Sequence, residues 1–311
     1  MTDLSTKTGS SRRRLGDLVF ASTTRAAGFV ILIALAGVAV FLTIQGLPAL
    51  GATKSDLSAL GSASNFLDYV WPLVFGTLLA AALALVIALP LSIGVALSVS
   101  HYAPRSVAKG IGYLVDLLAA VPSVVYGLWG IIFLAPQLQP AYQWLAAHAS
   151  WCPLFAGPAS ASGRTILTAA VVLAIMILPI ITAICREIFL QTPRLSEEAA
   201  LALGATRWEM IRLVVFPYAR SGIVSAAMLG LGRAMGETMA VAMVLSASGV
   251  VSFNLISSTN PSTIAASIAL NFAESSGTAV NALILSGLVL FAITFAVNFT
   301  ARLIVSRREP A

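Results

Sequence analysis

The stretch TPRLSEEAALALGATRWEMIRLVVFP, residues 192–217, decides how this chain is read. Its local chemistry spells a helix, a turn and a second helix. Ser196 stands where it can cap the first helix, which puts Glu197 and Glu198 at the positive end of the helix dipole. The run Ala199 to Leu203 favours helix, and Gly204 supplies a left-handed stop. Thr206 and Glu209 have the T-x-x-E spacing of a capping box for the second helix. On either side lie apolar runs, 166–190 and 219–247, each long enough to cross a bilayer. A helix–Gly–helix unit tethered at both ends to membrane segments is a poor DNA reader. The caps, the small residues and an exposed Trp208 also argue against a merely solvated linker. What remains is a docking surface for a protein partner.

The same apolar pattern recurs along the chain. Residues of the hydrophobic types make up 59% of the sequence and charged residues only 10%, where a soluble domain carries about 25% charged. Six runs have the length of a membrane span: 27–47, 72–99, 111–135, 166–190, 219–247 and 281–304. The first follows a basic segment that looks like a signal-peptide start. Its apolar run of about 20 residues exceeds the usual 7–15 of a cleaved signal, so it reads as an uncleaved span. The chain thus divides into a tail at 1–26, a six-span domain at 27–305 with its polar loop at 191–218, and a tail at 306–311.

The net charge of +6 is not a nucleic-acid signature, because the cations cluster in short segments between the spans. Lys7, Arg12, Arg13, Arg14 and Arg25 precede the first span, and Arg105 and Lys109 lie in the loop after the second. Arg186, Arg194, Arg207, Arg212 and Arg220 surround the 191–218 loop, and Arg302, Arg307 and Arg308 end the chain. Only Lys54 and Arg164 fall on the opposite side. The positive-inside rule then puts both termini and the 191–218 loop in the cytoplasm. Cys152, Cys185, His101 and His148 are too far apart along the spans to form a disulfide, a metal site or a catalytic set. There is no phosphate-loop motif, so nucleotide hydrolysis is not expected of this chain, which does not read as an enzyme.

Within the fifth run, LGLGRAMGETMAV at 229–241 carries Arg233 and Glu237 far inside an apolar segment. A mid-bilayer charge costs about 2.5–3.5 kcal/mol on insertion scales, so the pair needs a reason. Continued as one helix, the segment puts Ala226, Gly230, Glu237 and Ala240 on the face of Arg233, a face of small residues suited to a close helix neighbour or a cavity. The pair then either locks helix packing as an i,i+4 bridge or lines a pathway. In the pathway reading Arg233 binds an anion in transit, and Glu237 neutralises it when the site is empty. In the third run Pro122, Ser123 and Tyr126 provide either a kink with hydroxyls facing the pathway or a packing kink alone. Thr238 either joins Glu237 or bonds back to its own helix. Asp116 reads as a shallow structural residue, and Pro90 and Pro179 as bends.

Glu198, Ala199, Ala200 and Gly204, followed by Val214, Phe216 and Pro217, resemble the EAA loop of ABC importer permeases. That family has Ile and Leu where this chain has Val214 and Phe216. The resemblance implies an all-α, six-span type I importer (MetI-like) permease fold and a helix from Glu198 to Gly204 that docks on a separate ATPase. LAAVPSVVYGLWGIIFLAP, MILPIITAICREIF and GLGRAMGETMAV together resemble the phosphate-specific importer over residues 70–305, in the PstC rather than the PstA type. The resemblance implies a heterodimer with a PstA-like permease, two ATPase subunits that hold the ATP and Mg, and an external phosphate-binding protein. It also implies inorganic phosphate as cargo, no cofactor or metal in this chain, and a place in the lipid of the bacterial plasma (inner) membrane. Two alternatives stand beside it: a permease for molybdate or sulfate, and a secondary anion transporter that needs no ATPase.

Overall fold

The computed structural model describes residues 15–306, so most of the two expected tails lies outside it. Among the described residues the chain is helical, apart from one parallel bridge between Ala247 and Asn260. Six stretches are long and apolar enough to cross a membrane. The first is α1 (Leu15–Gly46) with a short 3-10 turn after it, beginning well before residue 27. The second is α2 (Phe66–Leu97), where Asn65 caps the start by accepting from the Asp68 amide at 2.9 Å.

The third span differs from its sequence expectation. Instead of one helix over 111–135, a separate helix α3 (Arg105–Ala119) precedes a break at Ala120–Pro122. The span proper is α4 (Ser123–Trp129), a π turn at Gly130–Leu134 and α5 (Ala135–His148). Pro122 forces the break, since its ring excludes the helical conformation from the residue before it. α3 is apolar on two faces of unlike role: Gly112 and Val115 are buried, while Tyr113, Leu114 and Leu117 are exposed. Asp116 is exposed on α3 and so lies outside the third span.

The fourth span, α6 (Ile166–Leu190), is the centre of the molecule, with 67% of its apolar window buried against 28% or less for every other span. It packs along α2 through Ala80, Ala81, Ala84 and Ala88, all fully buried. Small residues at this spacing let two backbones approach closely, which is where dispersion rather than the hydrophobic effect holds helices together in lipid. Pro179 sits inside α6, and the Ser92 hydroxyl of α2 donates to the Leu178 carbonyl beside it at 3.1 Å.

After α6 come α7 (Arg194–Ala202) and α8 (Arg207–Met210), a π turn at Ile211–Val215, and α9 (Phe216–Met235). α9 packs on α6 with Gly230 against Ile181, where a β-carbon would come within 2.7 Å of the Ile181 side chain. α10 (Met239–Val244) follows a break, and α11 (Ile264–Asn271) begins buried, with Ile264, Ala265 and Ala266 inside the bundle. α12 (Thr278–Ser306) completes the set and holds α1 on its outer side.

The connections at the α6 N-terminal end are structured. The Leu255 amide donates to the Leu154 carbonyl and the Ser160 amide to Ile256, so the loops 149–165 and 245–263 clasp each other. The second loop dips into the bundle, with its Ile264 amide donating to the Thr77 hydroxyl of α2 at 3.0 Å. Gly76 makes room for it: a β-carbon there would sit 2.2 Å from the Ser262 carbonyl oxygen.

α10 meets α4 at Gly127, where an added β-carbon would lie 2.9 Å from the Ala240 α-carbon and 3.1 Å from Met243 Sδ. The obstructing atom is backbone, so a larger residue must push the two helices apart. Gly127→Val is expected to destabilise the fold by about 1–3 kcal/mol, read as a lowered thermal midpoint of the detergent-purified protein. Gly94→Ala, where nothing lies within 4 Å, is the matching control and should leave the midpoint unchanged or raise it.

Candidate functional site

The segment around Arg233 is not one continuous helix. α9 ends at Met235 with Gly236 as its C-cap, and α10 starts only at Met239. Glycine carries the least helix propensity short of proline, and the following Glu237 supplies a capping group. Its carboxylate oxygen accepts a hydrogen bond from the Ala240 amide at 3.2 Å, at the N-terminus of α10. This placement satisfies an orphan amide and sets the negative charge at the positive end of the short helix.

The consequence corrects the shared-face expectation. Arg233 and Glu237 do not form an i,i+4 bridge, because the backbone turns between them. Glu237 is buried at 8% exposure and turned to α10, whereas Arg233 is exposed. The expected small-residue face is also redirected: Ala226 and Gly230 are consumed by packing on α6. Arg233 instead lies at the edge of that face, beside Leu229 and Gly232 on the open side of α9. Thr238 is half-buried in the break, and its carbonyl accepts from the Ala242 amide.

Arg233 lines a cavity of about 630 Å³ between α6, α9 and α12. Ile180, Met228 and Leu229 supply apolar wall, and Ser225, Asn298 and Arg302 supply polar groups. Seventeen residues of α9 separate Arg233 from Phe216, a rise of about 26 Å, so its charge lies in the last turn of α9, toward the far end of the apolar stretch Arg207–Met235. Among the described residues Arg233 has no carboxylate partner within salt-bridge distance. Its guanidinium faces open space rather than packed side chains, in the last turn of α9 where the helix dipole favours a cation.

Tyr126 is buried in α4, and its hydroxyl donates to the Leu118 carbonyl of α3 at 2.8 Å. That bond closes the α3–α4 break. Ser123, at the first position of α4, is half-buried. The structure therefore gives the Tyr126 hydroxyl a structural partner and does not place it on the cavity that Arg233 lines.

The second candidate surface is α7. The helix starts at Arg194 with Pro193 as its N-cap and no side-chain cap, so Ser196 is not the capping residue. The stop at Gly204 is as the sequence predicts, with φ at +90°, and so is the Thr206–Glu209 capping box. Glu198, Ala199, Ala202 and Leu203 are exposed, with Leu203 at 90%, while Ala200 is half-buried against the main core. Pro217, exposed in the first turn of α9, follows the π turn. Trp208 is exposed and meets Phe216 edge-on at 6.4 Å, and Phe216 meets Phe189 in the same way.

One feature of this surface has no sequence signal beyond an isolated histidine. His101, in the π turn at Ser98–Tyr102 that ends the second span, places Nε2 3.4 Å from Glu197 Oε1. Its Nδ1 is 2.7 Å from the Ser100 hydroxyl, which fixes the ring. The pair ties α7 to the end of the second span, although sequence alone assigns His101 no role.

No group of three or more metal-ligating side chains occurs among the described residues. The two candidate features are the cavity beside Arg233 and the exposed face of α7.

Comparison with known proteins agrees with this geometry. Residues 88–309 match the family described as binding-protein-dependent transport system inner membrane component. The phosphate transport system permease protein PstC 2 of Mycobacterium tuberculosis is 45% identical over 303 residues, covering 94% of this chain and 92% of that protein. PstC of Mycobacterium leprae is 42% identical over 87% of each chain, and PstC of Mesorhizobium japonicum 39% identical over 95% of this chain and 92% of its own. In fold, a solved inward-facing conformation of the MetNI methionine ABC transporter gives a TM-score of 0.53 at 16% identity, over 79% of this chain and 96% of that one. This chain therefore belongs to the family of binding-protein-dependent transport system inner membrane components, in the branch whose named members are PstC permeases.

Proposed function

We propose that this chain is the PstC-like permease subunit of an ATP-driven inorganic phosphate importer and forms half of its translocation pathway. The observation that carries the reading is Arg233, a cation on an open cavity at the far end of α9 with no salt-bridge partner among the described residues. The names of the relatives, at 39–45% identity over nearly the whole chain, supply the substrate. A guanidinium offers a phosphate dianion two parallel hydrogen bonds in a fixed fork, which a point charge does not.

In this reading a PstA-like permease closes the open side of the cavity. Two ATPase subunits, which hold the ATP and Mg, dock on α7 through Glu198, Ala199 and the exposed apolar residues around them. Ala200 packs that helix against the core, Gly204 closes its turn, and Pro217 starts α9 beyond it. An external phosphate-binding protein delivers the anion at the end where the loops 149–165 and 245–263 clasp. The excess of Lys and Arg around α7 and at the chain ends puts that side, with both termini, in the cytoplasm of a bacterial plasma membrane. Glu237 acts through α10 rather than by direct neutralisation: its bond to Ala240 holds the break beside Arg233 in register. Ser123, Tyr126 and Thr238 shape the same region, Tyr126 by keeping α4 set against α3.

The test is import into liposomes by the assembled complex with ATP inside. Phosphate uptake that depends on ATP is the expected result. Molybdate or sulfate uptake without phosphate uptake would reassign the cargo, and uptake driven by an ion gradient without the ATPase would overturn the importer reading.

A further inference from the structure

Arg233 is not the only cation on its cavity. Arg302, near the end of α12, lines the same 630 Å³ space, with Asn298 one turn before it and Ser225 across from it on α9. By sequence Arg302 belongs with the terminal positive charges, and nothing there links it to the fifth span. The two helices pack against each other. α9 starts from the 191–218 loop and α12 runs toward the terminal positive charges, so the positive-inside rule puts Arg302 on the Phe216 side of Arg233. On α9 the cavity wall runs from Val224 to Arg233, about 14 Å of helix.

Among the described residues no acidic side chain lines this space, and neither arginine has a salt-bridge partner. Two guanidinium groups sharing one cavity repel each other when it is empty, and an oxyanion relieves that repulsion wherever it sits between them. Asn298 uses one amide hydrogen on the Thr294 carbonyl at 2.9 Å, which leaves a second N–H for the cavity. The chemistry is that of a second anion position, with a charged donor, a neutral amide donor and an apolar wall.

We infer that Arg302, with Asn298, forms a second oxyanion station on the cytoplasmic side of Arg233, to which the phosphate passes on its way out. This rests on the proposed phosphate pathway through Arg233 and extends it. A second cation within the same cavity lowers the barrier for leaving the first, because the anion exchanges one set of charge-assisted bonds for another. It solves the release problem that a single strong site creates, and it does so without a carboxylate competing at Arg233. A lipid headgroup phosphate has the same chemistry as free phosphate, so the two sources must be separated experimentally.

The experiment uses the complete complex in liposomes, with wild type, Arg302→Gln, Arg302→Lys, Ala301→Glu and Arg233→Gln compared at equal complex content. Arg302→Gln is expected to lower the maximal phosphate uptake rate about tenfold, and Arg302→Lys to recover most of it, since the charge rather than a bidentate fork is required. Ala301→Glu places a carboxylate on the cavity wall and is expected to depress uptake at least as far. Uptake unchanged in both Arg302→Gln and Ala301→Glu, with Arg233→Gln inactive, would overturn the station and leave the pathway through Arg233 standing. Normal uptake in Arg233→Gln would instead remove the reading on which the station rests. The same series is run in phosphatidylcholine and in phosphatidylglycerol liposomes. A defect of Arg302→Gln in both supports a cargo station; a defect confined to phosphatidylglycerol would identify Arg302 as a lipid anchor and overturn the proposal.

Discussion

Arg233→Gln is expected to reduce phosphate uptake by about 100-fold or more while the complex still assembles, because removing one charged donor aimed at the anion costs on that order. The glutamine keeps the polar character and roughly the size of the side chain, so packing of α9 is not the variable. Ala226 and Gly230, which hold α9 against α6, are untouched. What is lost is the only charge that far along α9, and with it the bidentate hydrogen bonds to the anion. Arg233→Lys restores charge without the fork and should fall between the two. The measurements are co-purification of the subunits and radiolabelled phosphate uptake; near-normal uptake by Arg233→Gln would sink the pathway role. Arg233 pairs with no carboxylate among the described residues, so a structural bridge cannot account for a loss of uptake.

The second large effect is expected at α7. Leu203, 90% exposed in the isolated chain, and Ala199 stand on the outward side of a short helix that closes with a left-handed glycine. A buried hot-spot side chain at a protein interface contributes about 2 kcal/mol or more, so Leu203→Glu or Ala199→Arg should weaken ATPase binding by at least about 30-fold. The readouts are loss of the ATPase from the purified complex and loss of ATP-dependent uptake. Gly204→Val tests the support of the same helix: no atom lies within 4 Å of its added β-carbon, so any effect comes from forcing φ of +90° on a branched residue, about 1–2 kcal/mol. Full ATPase retention in both Leu203→Glu and Ala199→Arg would rule out docking at this surface. Ala200 faces the core, so a bulky residue there acts by lifting α7 rather than by blocking its partner.

Much of this molecule is legible in its sequence. The six spans follow from run length, and the α7–α8 turn follows from residues whose capping chemistry is local: Gly204 adopts φ of +90°, and Thr206 and Glu209 satisfy each other's orphan groups. Hydropathy misleads where two helices of similar apolarity adjoin. α3 and α4 read as one run because Tyr113, Leu114 and Leu117 are as apolar as the span after them, and Pro122 alone marks the boundary. The break after Met235 had a signal too, since Gly236 is followed directly by a carboxylate able to cap α10. Treating 219–247 as a single helix put Glu237 on the face of Arg233, from which that break removes it.

Composition, charge distribution and the 192–217 stretch determined by themselves that the chain is a multi-span membrane protein with a structured helix–turn–helix between two spans, because span length and capping are properties of contiguous residues. Only the tertiary structure decided what Arg233 faces. Its surroundings are set by which spans pack against α9, and those contacts join residues distant in the chain: Gly230 to Ile181, Arg233 to the cavity shared with Arg302, and His101 to Glu197. A charge in an apolar run is visible as a cost in sequence, but whether a carboxylate or open space offsets that cost depends on the direction of the backbone on either side of Gly236.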